Sequence, residues 1–146
     1  MSIRKATIDD FEELYKIGSN TPEFRVSASE AFMDPDDFKW HITNDKCVFL
    51  LAEEKDTQGF ICAHAKDLDR GTENKYACLV YLTVVPEYRG RGIAKELYSK
   101  CEDELKDMGI THMYGWANAE GNAILKFMNK QGYDEGHRYV WVDKKL

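Results

Sequence analysis

The segment Val84-Val85-Pro86-Glu87-Tyr88-Arg89-Gly90-Arg91-Gly92-Ile93-Ala94-Lys95 concentrates residue types suited to holding an anion. An apolar run stops at Pro86, a turn rich in glycine and arginine follows, and a long helix begins. The first turn of a helix has unpaired N–H groups and the positive end of the helix dipole, so it cradles phosphate. Gly90 and Gly92 remove side chains that would keep an anion off the backbone. Arg89, Arg91 and Lys95 against Glu87 give the window a charge of +2 in a chain of formal net charge −6. The plainer alternative is a solvated turn with surface arginines. The coincidence of strand end, glycines, cations and helix onset favours the anion site. A P-loop is disfavoured because Ile93, not Lys-Ser/Thr, follows Gly92. A dinucleotide fingerprint is disfavoured because Lys95 stands where a third small residue is needed, and because the motif lies past mid-chain.

No other cluster competes. Cys47, Cys62, Cys78 and Cys101 lack any C-x-x-C pair, and three of them lie in apolar strand-like stretches. Cys101 falls on the apolar stripe of a helix, so buried, reduced thiols are expected and a metal site is not. His41, His64, His112 and His137 are read as isolated, none paired at i, i+4 with another ligand type.

The elements that must position the turn follow from periodicity. A strand at about Ile3–Thr7 leads to Asp9-Asp10, which caps a helix carrying Phe11, Leu14 and Tyr15. Asp36-Asp37 after Pro35 opens a second helix with Phe38 and Ile42 on one face. Lys46–Glu54 and Gln58–Lys66 form a hairpin across the polar turn Glu54–Thr57. Tyr76–Val85 is an almost continuous apolar run, the pattern of a central strand covered on both faces. From Gly90 to Met108 the apolar positions Ile93, Leu97, Cys101, Leu105 and Met108 recur at helical steps, and Gly109 supplies the stop. Thr111–Trp116 reads as a strand, Asn122–Lys130 as a helix closed by Gly132-Tyr133, and Arg138–Asp143 as a final alternating strand. The order βααβββαβαβ gives an α/β fold, a mixed sheet with helices on both sides.

Composition bounds the rest. The 146 residues, 43% hydrophobic and 32% charged, suit one globular domain spanning residues 1–146. No apolar run approaches the roughly 18 residues that cross a bilayer. The stretch from Met1 to Glu12 holds no signal-peptide core, so the expected compartment is cytoplasmic. The acidic balance argues against nucleic-acid binding.

The pattern Arg-x-x-Gly-x-Ala at Arg89–Ala94, after Leu82-Thr83-Val84-Val85-Pro86, resembles the GNAT superfamily of acyl-CoA-dependent N-acetyltransferases. Asn122, Phe127 and Gly132-Tyr133 resemble that family's late segment. The resemblance implies a central, mostly antiparallel sheet flanked by helices, with acetyl-CoA as the acyl donor and no metal. It implies that the backbone of Leu82, Thr83 and Val84 pairs with the pantetheine arm like an added strand. The amides of Arg89, Gly90, Arg91, Gly92, Ile93 and Ala94 would hold the pyrophosphate, and Asn122 and Phe127 would line the far side of the cofactor. One departure stands out: many members keep a tyrosine four residues before the late Gly-aromatic pair, and Met128 occupies that position. The glutamate that some members carry near the start of the central strand is also missing, with Cys78 near its place.

No catalytic residue is therefore assigned. Tyr98, Tyr133, Tyr139 or a water are the proton donors left open, and Glu53, Glu54, Glu73, His64 and His112 the bases. The expected activity is acetyl transfer from acetyl-CoA by direct attack of a primary amine, whether a small amine, a polyamine or a protein amine. The alternative is a non-catalytic acyl-CoA-binding or regulatory module. The partners expected are that amine and no nucleic acid or membrane, with a homodimer left open.

Overall fold

The computed structural model describes residues 1–146, with the exception of the side chain of Asn122. Its frame is a five-stranded sheet of β1 (Ser2–Lys5), β2 (Cys47–Glu53), β3 (Thr57–Ala65), β4 (Tyr76–Val84) and β5 (His112–Gly115), in that spatial order. Neighbours are antiparallel except β4 and β5, which are parallel. Four helices flank the sheet: α1 (Phe11–Ser19), α2 (Pro35–Thr43), α3 (Ile93–Asp107) and α4 (Asn122–Lys130).

Strand alternation sorts the core into two layers. Val48, Leu50 and Ala52 of β2 point to the α3/α4 side with Ile61, Ala63, Leu97, Cys101 and Leu105. Phe49 and Leu51 point to the α1/α2 side with Leu14, Phe38, Ile42 and Phe60. Strands β2 and β3 are buried almost throughout, which is why β2 is apolar at every position but Glu53 and β3 is apolar from Phe60 to Ala63. Each large side chain removed from water here contributes about 1.5–3 kcal/mol.

Caps fix the helix ends. Asp34 Oδ1 accepts from the Asp36 amide at 2.9 Å and Pro35 occupies the first helical position, so α2 starts there. Asp10 sits at the N-cap of α1 but, contrary to expectation, makes no cap bond. Its carboxylate instead accepts from the Thr7 amide at 2.8 Å and from Arg4 at 2.9 and 2.8 Å, and Arg4 Nε also reaches Glu53 at 2.7 Å. The stronger charge-assisted bonds win the carboxylate. At the end of α4, Gly132 adopts φ 93, so the Tyr133 amide reaches Met128 O at 3.1 Å and the Gly132 amide Asn129 O at 3.1 Å. That Schellman closure fixes Tyr133 against α4.

The expected final strand at Arg138–Asp143 is not formed: no regular element follows α4. Asp143 accepts from Ser27 Oγ and Ser29 Oγ, each at 2.8 Å, and from Trp141 Nε1 at 2.8 Å. These bonds carry the segment across to the α1–α2 connection. The outer edge of β5 is left without a partner strand among the described residues.

Candidate active site

Strand β4 changes character halfway along. Up to Leu79 it is flanked on both sides, by β3 and by β5, and the β5 pairing ends at Leu79 opposite Gly115. At that point β4 also carries a bulge against β3: Cys62 pairs with Tyr81 and Ala63 with Leu79, leaving Val80 extra. A bulge puts two consecutive side chains on one face, and Val80 and Tyr81 both pack on the α1/α2 side. From Val80 to Val84 the backbone of β4 has β3 on one side and, among the described residues, no strand on the other. Leu82, Thr83 and Val84, three of the expected cofactor residues, lie in this half-open stretch.

The half-open edge leads into the onset of α3 within a few residues. A short 3-10 turn, Pro86–Tyr88, connects them, and Arg89 Nε donates to Val84 O at 2.8 Å, tying the turn to the strand end. Gly90 and Gly92 have φ of 80 and 82, a backbone region that L side chains rarely enter, and nothing lies within 4 Å of where a Cβ would stand. Among the described residues, no backbone amide from Gly90 to Lys95 donates to another group of the protein. Those N–H groups lie at the positive end of the dipole of the fifteen-residue α3, beside the open space at Gly90 and Gly92, and Lys95 follows in the first turn, while the Arg91 guanidinium donates back to Glu87 O at 3.3 Å. Arg91 also lies over the Tyr88 ring at 5.4 Å, which orients its guanidinium. The cradle suits a pyrophosphate.

Across the gap, α4 presents Phe127 half-buried, with its ring 5.8 Å from that of Tyr98. Asn122, the other residue expected here, begins α4, but its side chain lies outside the described residues. Met128 is 7% exposed, and its Cε would lie 3.4 Å from a Cβ at Gly115. Met128 is thus a core residue closing the floor between α4 and the end of β5.

The expected proton donors separate. Tyr98 Oη donates to Tyr133 Oη at 3.0 Å, and both lie near Met113 Sδ, at 3.7 and 3.6 Å. Burial raises the affinity of both phenols for their protons; for Tyr98 the bond to Tyr133 adds to it. Tyr139 is 76% exposed, beside Trp116.

None of the five expected bases faces the gap. Glu53 is bound by Arg4, Glu54 pairs with the amino terminus at 3.5 Å, and Glu73 is exposed in the β3–β4 connection. His112 starts β5 at the far end, stacked on Tyr76 at 4.8 Å. His64 packs edge-on against Trp40, and desolvation followed by nearby His41, Lys66 and Lys46 lowers its pKa. The reading of His41 as isolated also needs correction. It and Asp37 are i, i+4 on α2, with Nδ1 at 3.6 Å from the carboxylate and 2.7 Å from the Asp37 carbonyl. The thiols are all free and buried, and burial pushes Cys47 and Cys101 up to about 12. A thiolate nucleophile is disfavoured. Among the described residues no group of three or more His, Cys, Asp or Glu is arranged to hold a metal, and no helix is long and apolar enough to cross a membrane.

Residues on the opposite side of β4 escaped the sequence reading. Phe24 and Phe32, from the α1–α2 connection, lie 4.5 and 5.0 Å from the Tyr81 ring. Thr21 Oγ1 meets Thr83 Oγ1 at 3.3 Å. Beside them runs an open groove of ≈ 340 Å³ lined by Ser19, Asn20, Thr21, Pro22, Arg25 and Ala31. Nothing local in residues 20–34 marks them, because their place depends on packing over a bulge that only the folded register creates.

The chain can be compared with known proteins on this geometry. It is 28% identical over 148 residues to an acetyltransferase of Sodalis glossinidius, covering 100% of this chain and 96% of that protein. Its fold matches an aminoglycoside N-acetyltransferase solved in complex with CoA, at a TM-score of 0.77 and 19% identity over 99% of this chain and 100% of that one. It also matches an aminoglycoside acetyltransferase from an uncultured soil metagenomic sample solved with sisomicin, at a TM-score of 0.76 and 15% identity over 99% and 95% of the two chains. The sequence profile of the acetyltransferase (GNAT) family matches residues 11–133, most of the chain and all of the site just described, and the chain belongs to that family.

Proposed function

We propose that the protein transfers an acetyl group from acetyl-CoA to a primary amine by direct attack, with both substrates bound together. One observation carries this reading: the half-open edge of β4 runs from the bulge at Val80 into the unengaged amides at the start of α3. An extended pantetheine arm fits the first and a pyrophosphate the second, so their order along the chain measures out the donor. CoA supplies the acyl group as an activated thioester.

The residues of the chain divide the remaining work. Gly90, Arg91, Gly92, Ile93 and Ala94 hold the diphosphate through N–H groups, with Arg89 securing the turn. Leu82, Thr83 and Val84 offer backbone pairing that fixes the arm. Phe127 and Met128 wall the α4 side and keep water away. The acceptor comes from the α1/α2 face, where Tyr81, Phe24 and Phe32 frame the bulge. As its nitrogen bonds to the carbonyl carbon, the C–S bond breaks and its electron pair passes to sulfur, while the proton lost by nitrogen leaves through solvent. A free thiol has a pKa near 8.5, so the thiolate leaves without an obligatory acid. Holding amine and thioester together supplies most of the rate. The acceptor class, a cationic small amine, is supported by the sisomicin-bound neighbour and by the net charge of −6.

The test is release of CoA thiol from acetyl-CoA across a panel of amines, polyamines and aminoglycosides. Amine-dependent release with intersecting initial-velocity lines is expected. Parallel lines would mean an acetyl-enzyme and would overturn direct attack. CoA binding with no release on any amine would replace the reading with a non-catalytic acyl-CoA module.

A further inference from the structure

The groove beside the Thr21–Thr83 contact runs against the charge of the chain. The sequence carries 26 acidic residues against 20 lysines and arginines, yet this groove is lined by Arg25 and by no Asp or Glu. The open groove between Ile3 and α3 shows the opposite choice, with Glu96, Asp103, Glu104 and Asp107 along its wall. At ≈ 340 Å³ the first groove falls in the range of small-molecule sites, about 300–1,000 Å³.

Arg25 is held there but not neutralised. Its Nε donates to Ser27 O at 3.1 Å and its Nη2 to Ala28 O at 3.2 Å, so carbonyls of its own loop set the plane of the guanidinium. Among the described residues no carboxylate lies within 4.0 Å of it. Asp143 reaches the same loop but accepts from Ser27 Oγ and Ser29 Oγ instead. Ser19 Oγ and Thr21 Oγ1 spend their hydrogens on Lys16 O and Ile17 O. Arg25 and the Asn20 amide therefore supply the side-chain N–H donors left along the groove. A planar guanidinium fixed on one edge and free on another matches a carboxylate.

The groove also lies within reach of the bulge. Arg25 follows Phe24, whose ring packs on Tyr81 at 4.5 Å, and Thr21 touches Thr83, three residues along β4 from Val80. Three residues of strand span about 10 Å. We propose that the acceptor is a primary amine carrying a carboxylate at its far end, and that Arg25 binds this carboxylate while the amine stands at the bulge. The inference rests on the acetyl-transfer reading and adds a second, negative charge to the acceptor. The carboxylate takes no part in bond making; Arg25 selects the acceptor and holds it in register for attack. An acceptor with a second ammonium in that place meets Arg25 as a like charge.

The experiment uses a series of ω-amino acids of increasing length, each beside its carboxamide, on the wild-type chain, Arg25→Gln and Arg25→Lys. CoA release gives kcat and KM, calorimetry on the CoA complex gives binding without turnover, and a thermal melt checks the fold of each variant. The wild-type chain is expected to favour the carboxylate over its carboxamide by at least about tenfold, chiefly in KM, once the span from amine to carboxylate reaches about 10 Å. Arg25→Gln is expected to use the two equally, and Arg25→Lys to keep part of the preference. Equal use of carboxylate and carboxamide by the wild-type chain overturns the proposal with no variant needed, and so does a preference that survives in Arg25→Gln. If no amine releases CoA, the acetyl-transfer reading fails by itself. The same two comparisons, read by calorimetry, then decide whether Arg25 holds a carboxylate.

Discussion

Met128 stands where the family resemblance leads one to expect a tyrosine, but the side chain is buried against Gly115 and closes the core. A tyrosine there adds volume to a packed site, at a cost of about 1–3 kcal/mol. Met128→Tyr is expected to lower Tm by several degrees and leave kcat unchanged, measured by a melt beside CoA-release rates. A faster enzyme of undiminished Tm would mean that the hydroxyl reaches the cleft. With no carboxylate or imidazole of the expected set facing the gap, the amine must arrive deprotonated. For a lysine-like acceptor near pKa 10.4, log kcat/KM is expected to rise with a slope of about one up to that pKa. A plateau beginning near pH 7 would reveal a base in the cleft. The turn Arg89–Ala94 was legible because glycines and cations at a helix onset are a local pattern. Tyr81, Phe24 and Phe32 were not, because their meeting depends on the bulge at Val80.

The half-open edge of β4 depends on the strand beside it. A Cβ on Gly59 would stand 2.5 Å from Thr83 O and 3.1 Å from Val84 Cα, so β3 and β4 meet closely at the far end of the stretch where β4 has no other neighbour. Gly59→Ala is expected to push that stretch outward, costing about 1–3 kcal/mol of stability and weakening CoA binding together. Calorimetry and a melt check it; lost stability with full CoA affinity would show that the edge does not hold the donor. Periodicity located α4 at the bounds found, Asn122–Lys130, placed β2, β3 and β4 to within a residue, and opened α3 at Gly90, three residues before it begins. Those elements bury a face, so their sequences carry its period. Arg138–Asp143 carries the period as well, but a strand needs a neighbour, and among the described residues none pairs with it.

The two core layers meet at the sheet, and Arg4 binds the first strand, the entry to α1 and the end of β2 into one body through Asp10 and Glu53. The bonds from Arg4, ahead of the Thr7 amide, hold Asp10 at about 2, below its ordinary 3.8. A depressed carboxylate stabilises the fold above the unfolded pKa and loses that contribution as pH falls from about 4 toward 2. Asp10→Asn is expected to cost about 1 kcal/mol near neutrality, the upper range for a solvent-facing pair, and little at pH 2. A constant difference between pH 7 and pH 2 would contradict it. In the proposed reading the molecule holds CoA by its diphosphate at the start of α3, and the most direct measurement is calorimetric titration of CoA into the wild-type chain, Gly92→Ala and Gly92→Glu. Both variants carry the same backbone strain at φ 82, so their difference isolates the carboxylate. The expected result is tight binding by the wild-type chain, a modest loss for Gly92→Ala, and a loss of well over about tenfold for Gly92→Glu, as a carboxylate repels the phosphates from the cradle. Equal affinity in Gly92→Ala and Gly92→Glu would place the diphosphate elsewhere and contradict the account.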